Sequence, residues 1–149
     1  MEIQRVPPNH PDFIQLVTEL DAGLAISDGE DHAFYDQFNK LDNIKYVVLA
    51  FLNEQAVGCG AIKAFDAATM EVKRMYVRPQ HRGKGIATQT LSALEAWAVE
   101  LGASRCILET GHKQPEAIAL YHKCEYQIIS NYGQYAGVAN SVCFEKRIA

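Results

Sequence analysis

One change of sequence period, near residue 78, limits the folds that this chain can adopt. Residues 70–77, "MEVKRMYV", alternate as a strand does, whereas apolar residues after "RPQHRG" recur every three or four positions along a long helix that ends at Gly102. The segment "RCILET" (105–110) then has the composition of a buried strand. Because a strand, a helix and a strand in this order form a crossover, we expect two parallel neighbours in one sheet.

The other segments predict an α/β (α+β) fold in which helices flank a sheet. Further helices are predicted over residues 11–24, 28–41 and 115–124, and further strands over 2–6, 44–52, 56–65, 126–130 and 141–148. We expect a mixed, mostly antiparallel sheet of about six or seven strands with about four helices. The length of 149 residues suits a single domain, 1–149, with a core of useful size.

Composition and charge argue against several classes of protein. No apolar run approaches the ~18 residues of a membrane span, and "MEIQRVPPNHPDF" lacks the apolar segment of a signal peptide. We therefore expect a cytoplasmic protein with no membrane partner. The net charge of −4 argues against nucleic acid as a partner. The four cysteines form no CxxC pair and the histidines show no ligand spacing, so we expect free buried thiols and no metal.

The turn "QHRGKGIAT" (80–88), which begins the long helix, has the properties of an anion site. Gly83 and Gly85 allow a tight turn and close approach of a ligand. The first N–H groups of a helix have no intrahelical acceptor, and the helix dipole is positive there. Arg82 and Lys84 add positive charge to the same turn. This combination favours a phosphate-binding loop over a merely polar turn.

Two common phosphate loops fit the turn poorly. A P-loop requires Ser or Thr directly after its Lys, but Gly85 follows Lys84. The dinucleotide fingerprint is nearly matched, since Thr88 stands where the third small residue belongs and Glu109 lies near the distance of a ribose-binding acid. That fingerprint follows the first strand of a doubly wound sheet, however, and this turn follows a hairpin meander. The dinucleotide interpretation is therefore weak.

Three segments together resemble the GNAT-type N-acetyltransferases. Residues 80–85, "QHRGKG", match the family signature [RQ]-x-x-G-x-[GA], and the strand "EVKRMYV" is similar to the strand that carries it. The segment "PEAIALYHKCEY" (115–126) matches the pattern A-x-x-L-Y-x-x-x-G-[FY]. The resemblance covers the order of elements along the chain and is densest over residues 71–126. It implies a GNAT-like fold and acetyl-CoA as the co-substrate.

The resemblance also implies which residues bind acetyl-CoA. Backbone N–H groups of the turn would hold the pyrophosphate, the strand end would pair with the pantetheine arm, and an amide side chain would contact that arm. The residues concerned are Arg82, Gly83, Lys84, Gly85, Ile86, Ala87 and Thr88 for the pyrophosphate, Met75, Tyr76 and Val77 for the arm, and Gln114 for the amide. The chain departs from the family twice: Gln114 replaces the usual Asn, and Glu125 replaces a Gly. At a left-handed helix end a side chain costs on the order of 1 kcal/mol, unless the helix ends differently.

Two catalytic residues follow from the same resemblance. Tyr121 would be the general acid that protonates the departing CoA thiolate; a half-buried Tyr packing on the sheet is the alternative. Glu71, which strict alternation places on the same face as Met75, would take the proton from the amine. Pairing of Glu71 with Lys63, or an ordered water as the base, stays open. Direct attack requires no covalent enzyme intermediate.

The resemblance places the acceptor near the first two helices and the last two strands. Residues 6–39 contain acids but no Lys or Arg, whereas residues 72–84 contain bases and no acid. We expect a cationic primary amine, on a small molecule or a peptide, to bind beside four residues of the acidic segment, and solvated surface is the alternative. Those residues are Asp28, Glu30, Asp31 and Tyr35.

The expected protein is an acyltransferase, specifically an acetyl-CoA-dependent N-acetyltransferase. Two alternatives stay open: a non-catalytic acyl-CoA-binding module or sensor, and an acyltransferase with another acyl donor. Exposed strand edges are compatible with a homodimer.

Overall fold

A computed structural model of the chain describes residues 1–29 and 43–149, with only the backbone of Ser27 and Asp28. The strands are β1 (Glu2–Val6), β2 (Tyr46–Leu52), β3 (Gln55–Asp66), β4 (Thr69–Val77), β5 (Arg105–Gly111), β6 (Gln127–Ile129) and β7 (Ser141–Arg147). The helices are α1 (Pro11–Asp28), α2 (Ile86–Glu100) and α3 (Pro115–Lys123). The helix predicted over residues 28–41 lies almost wholly outside the described residues.

The seven strands form one sheet in the order β1-β2-β3-β4-β5-β7-β6. Only β4 and β5 are parallel neighbours, and every other neighbouring pair is antiparallel. The parallel pair is the one that α2 connects, as a crossover requires. The prediction of a mixed, mostly antiparallel sheet flanked by helices is confirmed.

The pairing between β4 and β5 is short. It joins Thr69 to Arg105, Met70 to Cys106 and Glu71 to Ile107, and it then stops although both strands continue. Within the described residues, the edge of β4 from Val72 to Val77 therefore has no strand neighbour on the β5 side. The sheet opens into a fork at this point.

Helices cover both faces of the sheet. On one face α1 packs Phe13 and Leu16 onto Val47, Leu49 and Ala61, in a cluster that also includes the partly buried Tyr76. On the other face α2 and α3 cover a larger cluster, whose members include Val48, Ile62, Met70, Val72, Leu91, Leu94, Tyr121 and Phe144. No helix in the described part of the chain is long and apolar enough to cross a membrane. All four cysteines are free thiols, and all except the half-buried Cys124 are buried.

A β-bulge in β4 changes which side chains share a face. Cys59 is paired with Tyr76 but Ala61 with Lys73, so β4 has one extra residue here. Arg74 has a φ of 60° at this bulge. A Cβ on Gly60 would lie 2.7 Å from Met75 Sδ and 2.8 Å from Leu94 Cδ1, which explains the glycine.

The bulge corrects one expectation about β4. Val72 and Met75 both pack in the cluster under α2, although they are three positions apart and regular alternation would place them on opposite faces. Glu71 alternates with Val72 and therefore faces the α1 side. Strict alternation placed Glu71 and Met75 on one face, and this was wrong because the extra residue reverses the order beyond Lys73.

Helix α3 ends in a left-handed turn at Glu125, as the family pattern suggested. Glu125 has a φ of 72°, and Tyr126 N–H donates to the carbonyl of Tyr121 at 2.9 Å, while Glu125 N–H donates to that of His122 at 3.1 Å. These two bonds form a Schellman motif, in which glycine is the favoured residue. The Glu125 side chain is exposed, so the left-handed conformation causes backbone strain but no clash with the core.

Replacing Glu125 with Gly is expected to stabilise the protein. Relief of the left-handed conformation outweighs the added entropy of the unfolded chain, and we expect a gain of about 0.5–1 kcal/mol in the free energy of unfolding. The matched control is Glu116→Gly in the first turn of α3, which should instead cost about 1 kcal/mol because it lies in a helix. Urea denaturation at pH 7 measures both, and a loss of stability in Glu125→Gly would contradict the strain.

Candidate active site

The fork between β4 and β5 opens into a cavity of about 510 Å³. The β4 edge forms one wall, the glycine-rich turn and the start of α2 form one end, and α1 and α3 close the sides. Lining residues include Leu20, Leu24, Glu71, Met75, Tyr76, Val77, Arg82, Gly83, Gly85, Ile86, Ala87, Thr88, Glu109, Gln114, Tyr121 and Tyr135. The cavity therefore joins the predicted phosphate loop to both predicted catalytic residues.

The glycine-rich turn forms an open cradle at one end of the cavity. Gly83 and Gly85 have φ values of 79° and 81°, and a Cβ on either would meet no atom within 4 Å. The backbone bonds of α2 begin with Gln89 N–H donating to the Gly85 carbonyl at 3.1 Å. The N–H groups of the preceding residues 86–88 point out of the helix start, where the dipole is positive. This arrangement can bind an anion.

The cations near the cradle are arranged differently from the sequence expectation. Arg82 donates from Nε to the Val77 carbonyl at 2.8 Å, and its guanidinium carbon lies 5.6 Å from the centre of the Tyr76 ring. Its side chain is thus anchored at the end of β4. Lys84 is exposed and does not line the cavity. His81 lines the cavity instead, and its buried Nδ1 has no hydrogen-bond partner in the described part of the chain.

Two acids of α1 pair with two bases of β4 and of the residue that follows it. Glu19 accepts from Nε and Nη2 of Arg78 at 3.1 and 3.0 Å, and from the Tyr76 hydroxyl at 3.3 Å. Asp21 accepts from Nη1 of Arg74 at 3.2 Å. Part of the acidic segment therefore forms ion pairs with part of the basic segment within the fold. These pairs hold α1 beside the cavity.

The hydrogen bonds from Arg78 lower the pKa of Glu19, against an opposing effect of burial. The Glu19 side chain is 28% exposed, so solvent screens the pair only in part. Because the pKa is lowered by folding, the pair stabilises the fold above the ordinary carboxyl pKa of about 4.3. That contribution is lost as the pH falls through the lowered folded value.

Glu71 lies at the point where β4 and β5 separate. The residue is 8% exposed, and its Oε2 accepts a hydrogen bond from the Tyr132 hydroxyl at 2.6 Å. Lys63 is directly opposite Glu71 in the β3–β4 register. Burial, and then the charge of Glu71, raises the pKa of Tyr132 above its ordinary value. Tyr132 therefore stays protonated, and its hydroxyl donates a hydrogen bond to the Glu71 carboxylate.

Tyr121 lies on α3 across the fork and is 7% exposed. Its ring contacts Tyr126 and Phe144, with centroids 5.9 and 5.8 Å away. Burial raises the pKa of Tyr121 above its ordinary value, with further increases from Cys124 and Glu109. The phenol thus stays protonated beside the cavity.

Other predicted positions are distributed as follows. Gln114 lines the cavity as the residue that precedes α3. Glu30, Asp31 and Tyr35 lie outside the described residues, as does the side chain of Asp28. Sequence reasoning did not select three residues that the fold brings to this site: Glu109, Tyr132 and Tyr135. The alternation of β5 could have found Glu109, since it is two residues beyond the partner of Glu71.

Comparison with known proteins shows the family and agrees with the fold. The profile of the Acetyltransferase (GNAT) family matches residues 14–126. The chain belongs to this family of acyltransferases, as the glycine-rich turn and the tyrosine helix predicted.

Individual relatives extend the match over nearly the whole chain. An IAA acetyltransferase of Azospirillum brasilense is 35% identical over 147 residues, which is 97% of this chain and 95% of that protein. A solved structure from Klebsiella pneumoniae subsp. pneumoniae MGH 78578, assigned as an acyl-CoA N-acyltransferase, has 31% identity and a TM-score of 0.83 over 99% of this chain and 97% of its own. A GNAT acetyltransferase from Elizabethkingia anophelis with acetyl-CoA bound has a TM-score of 0.69 over 97% of both chains; at 18% identity it shows the fold alone.

The ion pair of Glu19 gives a pH-dependent prediction. We expect Glu19→Gln to lower the free energy of unfolding by about 1 kcal/mol at pH 7, because Arg78 loses a bidentate charged partner. The difference from the wild type should shrink as the pH falls below the ordinary carboxyl pKa of about 4.3 and should be lost once the pH passes below the lowered native pKa. Urea denaturation at pH 7 and pH 3 measures the effect. Glu100→Gln, which breaks the more exposed pair with Arg5, should change stability less; a pH-independent loss in Glu19→Gln would contradict the role of charge.

Proposed function

We propose that the protein transfers an acetyl group from acetyl-CoA to a primary amine by direct attack. The observation that carries the proposal is the single cavity that runs from the cradle at Gly83 and Gly85, along the free edge of β4, to Glu71 and Tyr121. A cavity of this form has room for an anionic head, an extended arm and a reacting end. Solved structures of the same fold with acetyl-CoA bound support the choice of donor.

The cradle is proposed to bind the pyrophosphate of CoA. The open space beside Gly83 and Gly85 accommodates phosphate oxygens, and the N–H groups of residues 86–88 can donate to them. The pantetheine arm would then extend along Met75–Val77, where β4 lacks a strand neighbour on the β5 side among the described residues. An extended amide chain can pair with such an edge as an added strand.

The thioester end is proposed to lie at the β-bulge. A bulge leaves a residue outside the regular ladder, so an N–H group of β4 can donate to the thioester oxygen. Such a donor stabilises the oxyanion that forms when the amine attacks. Burial raises the pKa of Cys59 and Cys106 to about 12 and that of Cys143 to about 11, so these thiols stay protonated. This supports direct attack rather than an acyl-enzyme.

Glu71 is proposed as the general base. An ammonium has no lone pair for attack, so the acceptor must lose a proton to a nearby group, directly or through one water. Glu71 faces the α1 side of the fork, and Glu109 lies on the same side because it is two residues beyond Ile107. Two carboxylates at the fork favour an incoming cationic amine over an anionic acceptor. Leu20 and Leu24 add apolar surface for the body of the acceptor.

Tyr121 is proposed to assist departure of the CoA thiolate. Its raised pKa lies above the value of about 8.5 expected for a thiol, so complete proton transfer is uphill. The phenol therefore acts mainly as a hydrogen-bond donor that stabilises the negative sulfur. The nitrogen loses a second proton when the tetrahedral intermediate collapses to the amide, and the thiolate takes up that proton through water and leaves as the free thiol.

Two glycine variants test the cradle. Gly83 and Gly102 lie near opposite ends of α2, both have positive φ, and a Cβ on either meets no atom within 4 Å. Gly83→Glu and Gly102→Glu should therefore lose similar stability, about 1 kcal/mol each. Only Gly83→Glu should weaken CoA binding, by at least about tenfold, because its carboxylate would face the pyrophosphate. Isothermal titration calorimetry measures the CoA affinity of both variants. Equal affinities would mean that the glycine-rich turn does not bind the pyrophosphate.

Catalytic roles are tested by thiol release from acetyl-CoA with a panel of amines. Glu71→Gln should lower kcat about 100-fold, and Tyr121→Phe by about tenfold, with little change in acetyl-CoA affinity. Glu95→Gln is the matched control, since Glu95 also accepts from a tyrosine hydroxyl and does not line the cavity. Full activity of Glu71→Gln would show that Glu71 is not the base and would leave an ordered water in that role. Faster turnover of longer acyl-CoAs than of acetyl-CoA would show that the natural donor carries a longer acyl group.

A further inference from the structure

Tyr132 is not among the residues that the reaction as proposed uses, yet its hydroxyl contacts the Glu71 carboxylate. The hydroxyl donates to Oε2 at 2.6 Å, which is within the range of a charge-assisted hydrogen bond. Among the described residues, no other hydrogen bond to the Glu71 carboxylate is present. Within that part of the chain, Tyr132 therefore engages Oε2, while Oε1 is available to the amine or to a water in the cavity.

The segment that carries Tyr132 is well suited to hold it in place. Tyr132 contacts Phe65 and Tyr135 edge-to-face, with ring centroids 5.3 and 5.8 Å away. Tyr135 N–H donates to the Tyr132 carbonyl at 2.9 Å. The Asn131 side-chain Nδ2 donates to the Val138 carbonyl at 2.8 Å and so joins the two ends of the loop. The hydroxyl is therefore presented by a packed loop between β6 and β7, not by a free side chain.

We propose that Tyr132 is a positioning residue, which fixes the orientation of the Glu71 carboxylate so that Oε1 is presented to the acceptor. This inference rests on the proposed role of Glu71 as the base. The hydrogen bond fixes one carboxylate orientation, so less conformational freedom is lost when the amine arrives. Through this contact the β6–β7 loop, which also supplies Tyr135 to the cavity, supports the reacting end.

Other titratable or charged groups lie on the elements next to Glu71 and remain the same when Tyr132 is changed. They are Lys63 on β3, Lys73 on β4, Glu109 on β5, Cys143 on β7 and Tyr135 in the β6–β7 loop. Tyr132→Phe removes only the hydroxyl and keeps the ring contacts. A change in the Glu71 resonance in this variant therefore reports the hydrogen bond.

The first experiment observes the Glu71 carboxylate without any activity. Side-chain ¹³C resonances of labelled Glu are recorded at pH 7, with Glu71→Gln used for assignment. In Tyr132→Phe the Glu71 carboxyl resonance should shift, because the carboxylate loses its hydrogen-bond donor. The matched control is Tyr126→Phe, which removes a 2.8 Å bond to Glu95 and should leave the Glu71 resonance unchanged. An unchanged Glu71 resonance in a folded Tyr132→Phe overturns the inference.

The second experiment measures kcat for an amine acceptor together with the affinity for CoA. In Tyr132→Phe kcat should fall by about tenfold, because the base is no longer held in position, while CoA affinity stays the same. If the Glu71 resonance shifts but kcat does not change, the base assignment in the proposed function fails and the Tyr132 contact stands. If neither changes, the positioning role itself fails. The kcat of Tyr126→Phe should equal that of the wild type.

Discussion

The short pairing of β4 with β5 is the constraint on which the rest of the site depends. After Glu71 the two strands separate, and the free backbone edge of β4 becomes a wall of the cavity. The connection between them is a crossover, so its helix must begin just beyond the end of β4. That geometry places the start of α2, with its free N–H groups, next to the open edge. One topological event thus creates both the cradle and the cleft.

The bulge in β4 determines which of its side chains face α1 and which face α2, and therefore how they line the cavity. Before the bulge Glu71 faces α1, and after it Tyr76 faces α1 while Met75 and Val77 face α2. Regular alternation would have presented a different set of side chains to the two halves of the cavity. Arg78 and Arg74 then tie the strand to α1 through Glu19 and Asp21. The acidic helix thus serves partly as a structural partner of the basic strand.

The sequence predicted the elements of the described residues and the glycine-rich turn at the start of α2 well, because their signals are local. Period, glycine spacing and helix-end patterns depend on residues close in the chain, and even the strained end at Glu125 was visible. The bulge was not, because it arises from the register between β3 and β4. The contact of Tyr132 with Glu71 joins residues 61 positions apart, and no local pattern encodes it. The pairing of Glu19 with Arg78 was hidden in the same way, since the charge pattern alone could not distinguish solvated acids from paired ones.

The fork also has a thermodynamic consequence. The sheet consists of a four-stranded part and a three-stranded part, and within the described residues their strand pairing is limited to three residue pairs. A ligand that fills the fork contacts both parts at once and so replaces missing strand pairing with contacts of its own. Because such a ligand binds only when the two parts are correctly joined, binding couples to folding and raises stability by RT ln(1 + [L]/Kd). The concentration of the co-substrate in the surroundings would thus set how firmly the two parts of the sheet are held together.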